Sequence, residues 1–353
     1  MSQGLNKTSR RAAFASCCVA FGVFAVLGAG PAPASAQTVD EVAKLLADDG
    51  SSGDQFGKAV RISGDTAIIG ALGDDDDGSG SGSAYVFINS GGVWSLQQKL
   101  TAGDGAPGDS FGSAVAVLGD LAFVGAPRAD KADLDCGQGV CRDVGAVYVF
   151  TRSGGVWTEQ QKLIGSNVRC VTSTGIPVGN SPESFGSSIA LSGNRALVGA
   201  PRSITNLSCG LGTTTPAIFT GVAYVFEESG GVWTETAKLQ ASDREAYDRF
   251  GESVSLDGST ALIGNSTDDD LGSSSGSAYV FEESGGAWFE QRKLTPTGGI
   301  ANDFFGAAVH LSGDTAMIGA RRHGANTAGA VFVHQRNGGL WSYHQRLVAS
   351  DGA

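Results

Sequence analysis

One pattern recurs five times along the chain and limits what it can fold into. Phe-Gly stands at Phe56-Gly57, Phe111-Gly112, Phe185-Gly186, Phe250-Gly251 and Phe305-Gly306, at intervals of 55, 74, 65 and 55 residues. A Gly-Ala or Gly-Asn pair follows each time: Gly70-Ala71, Gly125-Ala126, Gly199-Ala200, Gly264-Asn265 and Gly319-Ala320. Then comes an apolar run such as Ala84-Tyr85-Val86-Phe87 or Val147-Tyr148-Val149-Phe150. Each unit closes on Gly-Gly-x-Trp, and all five tryptophans of the 353-residue chain (Trp94, Trp157, Trp233, Trp288, Trp341) occupy that one place. A fixed self-similar unit of this length is the mark of a repeat architecture.

Within a unit the signals are those of four short strands. In the first unit they fall near Phe56–Ile62, Thr66–Ala71, Ser83–Ile88 and Val93–Leu100, with Ala59 and Arg61 on one face of strand one and Val60 and Ile62 on the other. Short turns such as Ser63-Gly64-Asp65 and paired glycines such as Gly91-Gly92 separate them, and glycine supplies the positive φ a tight hairpin needs. One four-stranded unit cannot bury both of its faces, whereas radial stacking buries them against each other and protects the edges. The expected fold class is therefore all-β: a β-propeller of five four-stranded blades, closed on itself or part of a larger ring. A parallel β-helix would need shorter, more uniform coils.

Phe-Gly, Gly-Ala-Pro (Gly125-Ala126-Pro127, Gly199-Ala200-Pro201) and Gly-Ala-Val-Tyr-Val-Phe (Gly145 to Phe150) together resemble the FG-GAP repeat of the integrin α-subunit propeller and its bacterial relatives. The resemblance spans residues 41–353. It implies a ligand face built from the loops joining strands two to three and four to one. Two departures stand out: the turns between strands one and two are too short for the calcium loop many integrin blades carry, and five units are present where the integrin propeller has seven. Leu347 to Ala353 repeats the segment Leu45 to Gly50 that opens the first unit, and Val42-Ala43-Lys44-Leu45 matches the end of a fourth strand. This points to closure of the ring by the two ends and to a monomer.

Residues 1–36 stand apart. Lys7, Arg10 and Arg11 precede an apolar run from Ala12 to Gly30 and then Ala34-Ser35-Ala36, the three regions of a secretory signal peptide. Its removal takes the formal charge from −12 to −15. That charge disfavours nucleic acid and anionic membranes, and no second spanning apolar run follows. The expected organisation is a signal peptide over 1–36 and a propeller over 37–353, with units near 46–99, 100–162, 163–238, 239–293 and 294–346 and the start of another at 347–353. The product would be secreted, periplasmic or held at the cell surface.

Candidate chemistry is sparse. An acid lies two residues before each Phe-Gly (Asp54, Asp109, Glu183, Asp248, Asp303), where a carboxylate caps loop N–H groups. The loops between strands two and three of units one and four carry Asp74, Asp75, Asp76 and Asp77, and Asp268, Asp269 and Asp270, which could gather calcium, the one cofactor suggested. His310, His323, His334 and His344 all lie in the last unit but lack metal-ligand spacing, and read as blade divergence. The even set Cys136, Cys141, Cys170 and Cys209 suits disulfides in an oxidising compartment, expected as Cys136–Cys141 and Cys170–Cys209.

No nucleophile elbow, phosphate loop, zincin helix or dinucleotide fingerprint is present. The longest loops, Pro127 to Val144 and Pro201 to Gly221, grow from one face, which in a repeat fold marks the working surface. The expected role is non-catalytic: a binding or adhesion module for an extracellular protein or glycan, engaged through Arg128, Asp130, Lys131, Arg202, Arg321 and Arg322. A hydrolase or lyase using the same face, and a structural cell-envelope protein, are the alternatives.

Overall fold

A computed structural model describes residues 43–130, 143–166, 183–203, 219–324 and 327–350. The segment 1–36, Lys131 and the four cysteines Cys136, Cys141, Cys170 and Cys209 lie outside the described residues.

Twenty strands make five antiparallel four-stranded sheets in simple up-and-down order. Blade 1 holds β1 (Ala59–Ser63), β2 (Thr66–Ala71), β3 (Ser83–Ser90) and β4 (Val93–Leu100). Blade 2 holds β5 (Ala114–Leu118), β6 (Leu121–Ala126), β7 (Ala146–Ser153) and β8 (Val156–Leu163). Blade 3 holds β9 (Ser188–Ser192), β10 (Arg195–Ala200), β11 (Val222–Ser229) and β12 (Val232–Leu239). Blade 4 holds β13 (Ser253–Asp257), β14 (Thr260–Asn265), β15 (Ser277–Ser284) and β16 (Ala287–Leu294), and blade 5 holds β17 (Phe305–Ser312), β18 (Thr315–Ala320), β19 (Ala330–Asn337) and β20 (Leu340–Leu347).

Phe-Gly precedes the first strand of blades 1 to 4 and starts β17, where a register shift follows between Phe305 and Ala308; its glycine sits at positive φ throughout (Gly57 92°, Gly112 87°, Gly306 89°). The Phe111 backbone instead bridges to Gly82 of the preceding blade, and Phe185, Phe250 and Phe305 bridge likewise to Gly145, Gly221 and Gly276. Each phenylalanine ring then packs edge-on against the tyrosine or phenylalanine of its own third strand, as Phe111 does against Tyr148 at 5.4 Å. Every β3-type and β4-type pair carries a bulge at the same point, between Val86 and Phe87 in blade 1.

Cores lie between blades. Ile68, Val86 and Phe111 pack with Val115, Val124 and Trp157 across the first junction, and comparable clusters fill the next three. Gln98 braces that junction from outside: its amide donates to the Trp157 carbonyl and accepts from the Trp157 N–H, each at 2.8 Å, and Gln161 does the same for Trp233.

The fifth junction differs from the expectation of a closed ring. Val60 and Ile62 of β1 are 49% and 63% exposed, against 3% and 9% for Val115 and Val117 at the same places in blade 2. The remaining core cluster, Ile69, Tyr85 and Phe87, is covered by Leu45 and Ala47 of the incoming chain and, among the described residues, by none of blade 5. That incoming segment forms no strand, so it does not complete a blade.

His334 of β19 replaces the repeat phenylalanine and stays buried between Phe305 and Tyr343 with Nδ1 unpaired. Burial lowers its pKa to about 4. The unfolded chain therefore binds a proton below about pH 6.5 that the folded blade refuses, so the stability His334 contributes is present above that value and is lost as pH falls toward 4. His334→Phe is expected to remove that loss, on the order of 3 kcal/mol at pH 4, in urea melts run at pH 7 and pH 4.

Candidate ligand-binding site

The inner strands β1, β5, β9, β13 and β17 line a central channel of about 270 Å³. Its wall is built of small residues (Ala59, Ser113, Ala114, Ser187, Ser188, Ser253, Ala307, Ala308), with Lys58, Arg61 and Glu252 as its charged groups. Small side chains are what five converging strands can fit at an axis. Two of the serines also tie neighbouring blades: Ser188 donates to the Gly251 carbonyl at 2.8 Å and Ser253 to the Gly306 carbonyl at 2.7 Å.

At the long-loop end a second depression of about 310 Å³ opens between blades 2, 3 and 4, lined by Pro127, Arg128, Ser184, Ser187, Pro201, Arg202, Arg249 and Glu252. Arg128 and Arg202 follow Gly-Ala-Pro, where the second strand ends, and their backbone N–H groups donate to the Asp109 and Glu183 carbonyls. The loop anchor thus aims both guanidinium groups at one depression. Arg249 comes from the loop before Phe250, and its backbone N–H donates to Asn265 Oδ1 at 2.9 Å. The nearest carboxylate is Glu252, 3.9 Å from the Arg249 guanidinium and also bonded by the Ser266 hydroxyl. Among the described residues Arg128 and Arg202 form no ion pair, and the depression's lining holds three exposed arginines and one carboxylate.

The other expected face residues go elsewhere. Asp130 accepts the Asp143 N–H at 2.8 Å and closes its own loop. Arg321 and Arg322 lie over the Phe304 ring, 4.4 and 5.3 Å from its centre, and neither lines the depression. Arg249 and Glu252 escaped the sequence reading. The available signal was Arg249 itself, the one basic residue at a repeat position held elsewhere by Gln55, Ser110, Ser184 and Phe304.

The acids before Phe-Gly are loop caps: Asp54, Asp109, Asp248 and Asp303 each accept the backbone N–H three residues upstream. Burial raises the pKa of Asp248 to about 6, with the nearby Asp268 charge adding to it.

The two acidic loops form trios able to hold an ion, Asp49, Asp74 and Asp76, and Asp243, Asp268 and Asp270. A lysine already stands in each. Lys99 Nζ lies 2.6, 2.9 and 2.5 Å from Asp49, Asp74 and Asp76, and Lys293 Nζ lies 2.7, 2.8 and 2.6 Å from Asp243, Asp268 and Asp270. Burial alone would lower these lysines, but the hydrogen bonds they donate to the carboxylates outweigh it and raise both. Asp75 and Asp269 cap the Gly80 and Ser274 N–H groups, while Asp77 stands free of the trio. One ammonium stands among the three carboxylates of each trio and ties the blade to its incoming loop through Asp49 or Asp243. EDTA is expected to leave the melting temperature of the native chain unchanged within about a degree.

Of the four histidines, His323 joins a buried chain: Nδ1 is 2.7 Å from Asp303 and Nε2 accepts from Arg346 at 3.1 Å. His334 lies apart among aromatic rings.

The FG-GAP repeat family matches residues 39–87, 94–150, 233–281 and 288–334, more than half of the chain. No curated relative matches in sequence. Among solved structures, a Bacteroides uniformis ATCC 8492 protein named as a 6-phosphogluconolactonase superposes with a TM-score of 0.52 at 12% identity, over 83% of this chain and 72% of that one. At that identity the likeness shows the fold alone.

Proposed function

The chain belongs to the FG-GAP repeat family, and from that premise and the channel mouth we propose that it is an exported binding module, without catalysis, for an anionic extracellular ligand. The observation that carries this reading is the depression lined by Arg128, Arg202 and Arg249 of three different blades, with Glu252, paired to Arg249, as its one carboxylate among the described residues. On a chain of formal charge −12, an under-neutralised guanidinium cluster is a local reversal of sign. Guanidinium groups match carboxylate and sulfate geometry with paired N–H donors. The two prolines offer apolar surface and Ser184 and Ser187 offer hydroxyls, a lining that suits a carboxylated or sulfated glycan. An acidic protein segment is the competing ligand. Export follows from the basic, apolar and Ala-x-Ala segments of residues 1–36.

The test is a glycan array with uronic-acid and sulfated oligosaccharides beside their neutral counterparts, followed by calorimetry on the hits. Each of Arg128→Ser, Arg202→Ser and Arg249→Ser is expected to weaken an acidic hit about tenfold, and Arg321→Ser to leave it unchanged. Equal binding of neutral and acidic sugars, or turnover of any probe, would overturn the reading.

A further inference from the structure

Blades 1 and 5 each present one half of the joint that holds the other blades together, and among the described residues neither half meets a neighbouring blade. At four junctions the second-strand glycine lies directly under the Phe-Gly of the following blade: a Cβ on Gly70, Gly125, Gly199 or Gly264 would overlap the carbonyl oxygen of Gly112, Gly186, Gly251 or Gly306. Glycine is compulsory there because another backbone crosses. Gly319 is the fifth such residue, yet a Cβ on it would meet nothing nearer than Ala308 of its own blade, at 3.6 Å, and its φ is ordinary. Nothing within blade 5 demands glycine at this position.

The other half shows the same vacancy. A Cβ on Gly112 would overlap the Ser83 carbonyl of the blade before it, whereas one on Gly57 would meet nothing within 4 Å. Phe111, Phe185, Phe250 and Phe305 are buried to 1% exposure or less, while Phe56 is only half-buried. The bridge from third-strand glycine to phenylalanine is made four times among the described residues, and Gly329 and Phe56 do not make it. Gln345 holds the place of Gln98 and Gln161 in its strand pairing but is exposed, and Trp94, its counterpart in the brace, is half-buried.

We infer that blade 5 of one copy of this chain receives blade 1 of a second copy, repeating between chains the joint that is made four times within one. Self-complementarity favours a second copy over an unrelated protein, since this chain carries both halves and the interface continues an internal one. The association is head to tail, with blade 1 of the second copy entering beside blade 5 of the first. It uses the blade faces and leaves the arginine depression open, so it stands independently of the proposed ligand.

Sedimentation velocity and light scattering on the full secreted chain, over a hundredfold concentration range, test it. Wild type is expected to show a species of twice the chain mass or a higher multiple. Gly319→Ala is the decisive variant. Its methyl fits the chain as it stands, so the monomer melting temperature should hold or rise slightly, but it blocks the incoming backbone and should abolish the larger species. Gln345→Ala should weaken association severalfold. A wild type that stays monomeric throughout, as closure by its own first blade would give, overturns the inference. So does a folded Gly319→Ala that still associates.

Discussion

Gly264→Ala is expected to cost about 3 kcal/mol or more and to loosen blade 5 from blade 4. The methyl would occupy the space of the Gly306 carbonyl oxygen and crowd the Ser253 hydroxyl, which donates to that same carbonyl. Backbone cannot step aside as a side-chain tip can, so the two sheets must part. Parting them uncovers a junction core that includes Leu262, Phe305, Ile318 and Trp341. Urea denaturation reads the loss, and the same substitution at Gly319 is the internal control. A Gly264→Ala chain with a wild-type midpoint would show that contact between these backbones is not what holds the blades.

Lys293→Met is expected to destabilise by about 1–3 kcal/mol, since Asp268 is buried while Asp243 and Asp270 are exposed and screened by solvent. Three carboxylates would remain around a vacated centre, and Asp268 is only 4% exposed. The Tyr279 hydroxyl, 2.8 Å from Asp243 and 2.9 Å from Asp268, cannot neutralise them, since burial and its acidic neighbours raise its pKa. In the native chain Asp243 is held below its ordinary value: burial pushes it up, but Lys293 and Tyr279 outweigh that. Without the lysine that lowering of Asp243 is lost and the trio's like charges repel. Their repulsion is then present above their unfolded pKa and relieved as pH falls, so the variant should recover part of its deficit between pH 7 and pH 5. Thermal melts at the two pH values check the sign. An equal deficit at both would mean that lost packing, not charge, dominates. Lys99→Met should behave alike in blade 1, where the same geometry recurs.

The two trios show why a correct feature led to an incomplete reading. Clustered aspartates in a Gly/Ser loop are visible in sequence and suggest a cation. A cation is supplied from the end of strand four, 23 residues beyond the trio's last aspartate in both blades, by Lys99 and Lys293. Only pairing of the third and fourth strands brings Lys99 beside Tyr85 and hence above the acidic loop. In the same way, Arg128 and Arg202 were legible because they follow one repeated motif, whereas Arg249 comes from a different loop of a third blade and joins them only in the ring.

What the sequence determined by itself was whatever is local and repeated. Phe-Gly, the paired turn glycines and the period-two apolar runs specify each four-stranded unit, because a hairpin's turn chemistry and a strand's alternation are written within a few residues. The glycine pairs at 91–92, 154–155, 230–231, 285–286 and 338–339 all sit at positive φ between third and fourth strands. Tertiary structure decided what lies between units: which guanidinium groups meet, which carboxylates find a lysine, and whether the last blade reaches the first. The blades carry nearly the same motifs, so those motifs cannot say where the ring stops. That depends on the angle at which rigid sheets stack, and here the stacking leaves Val60, Ile62 and Gly319 facing an unfilled joint.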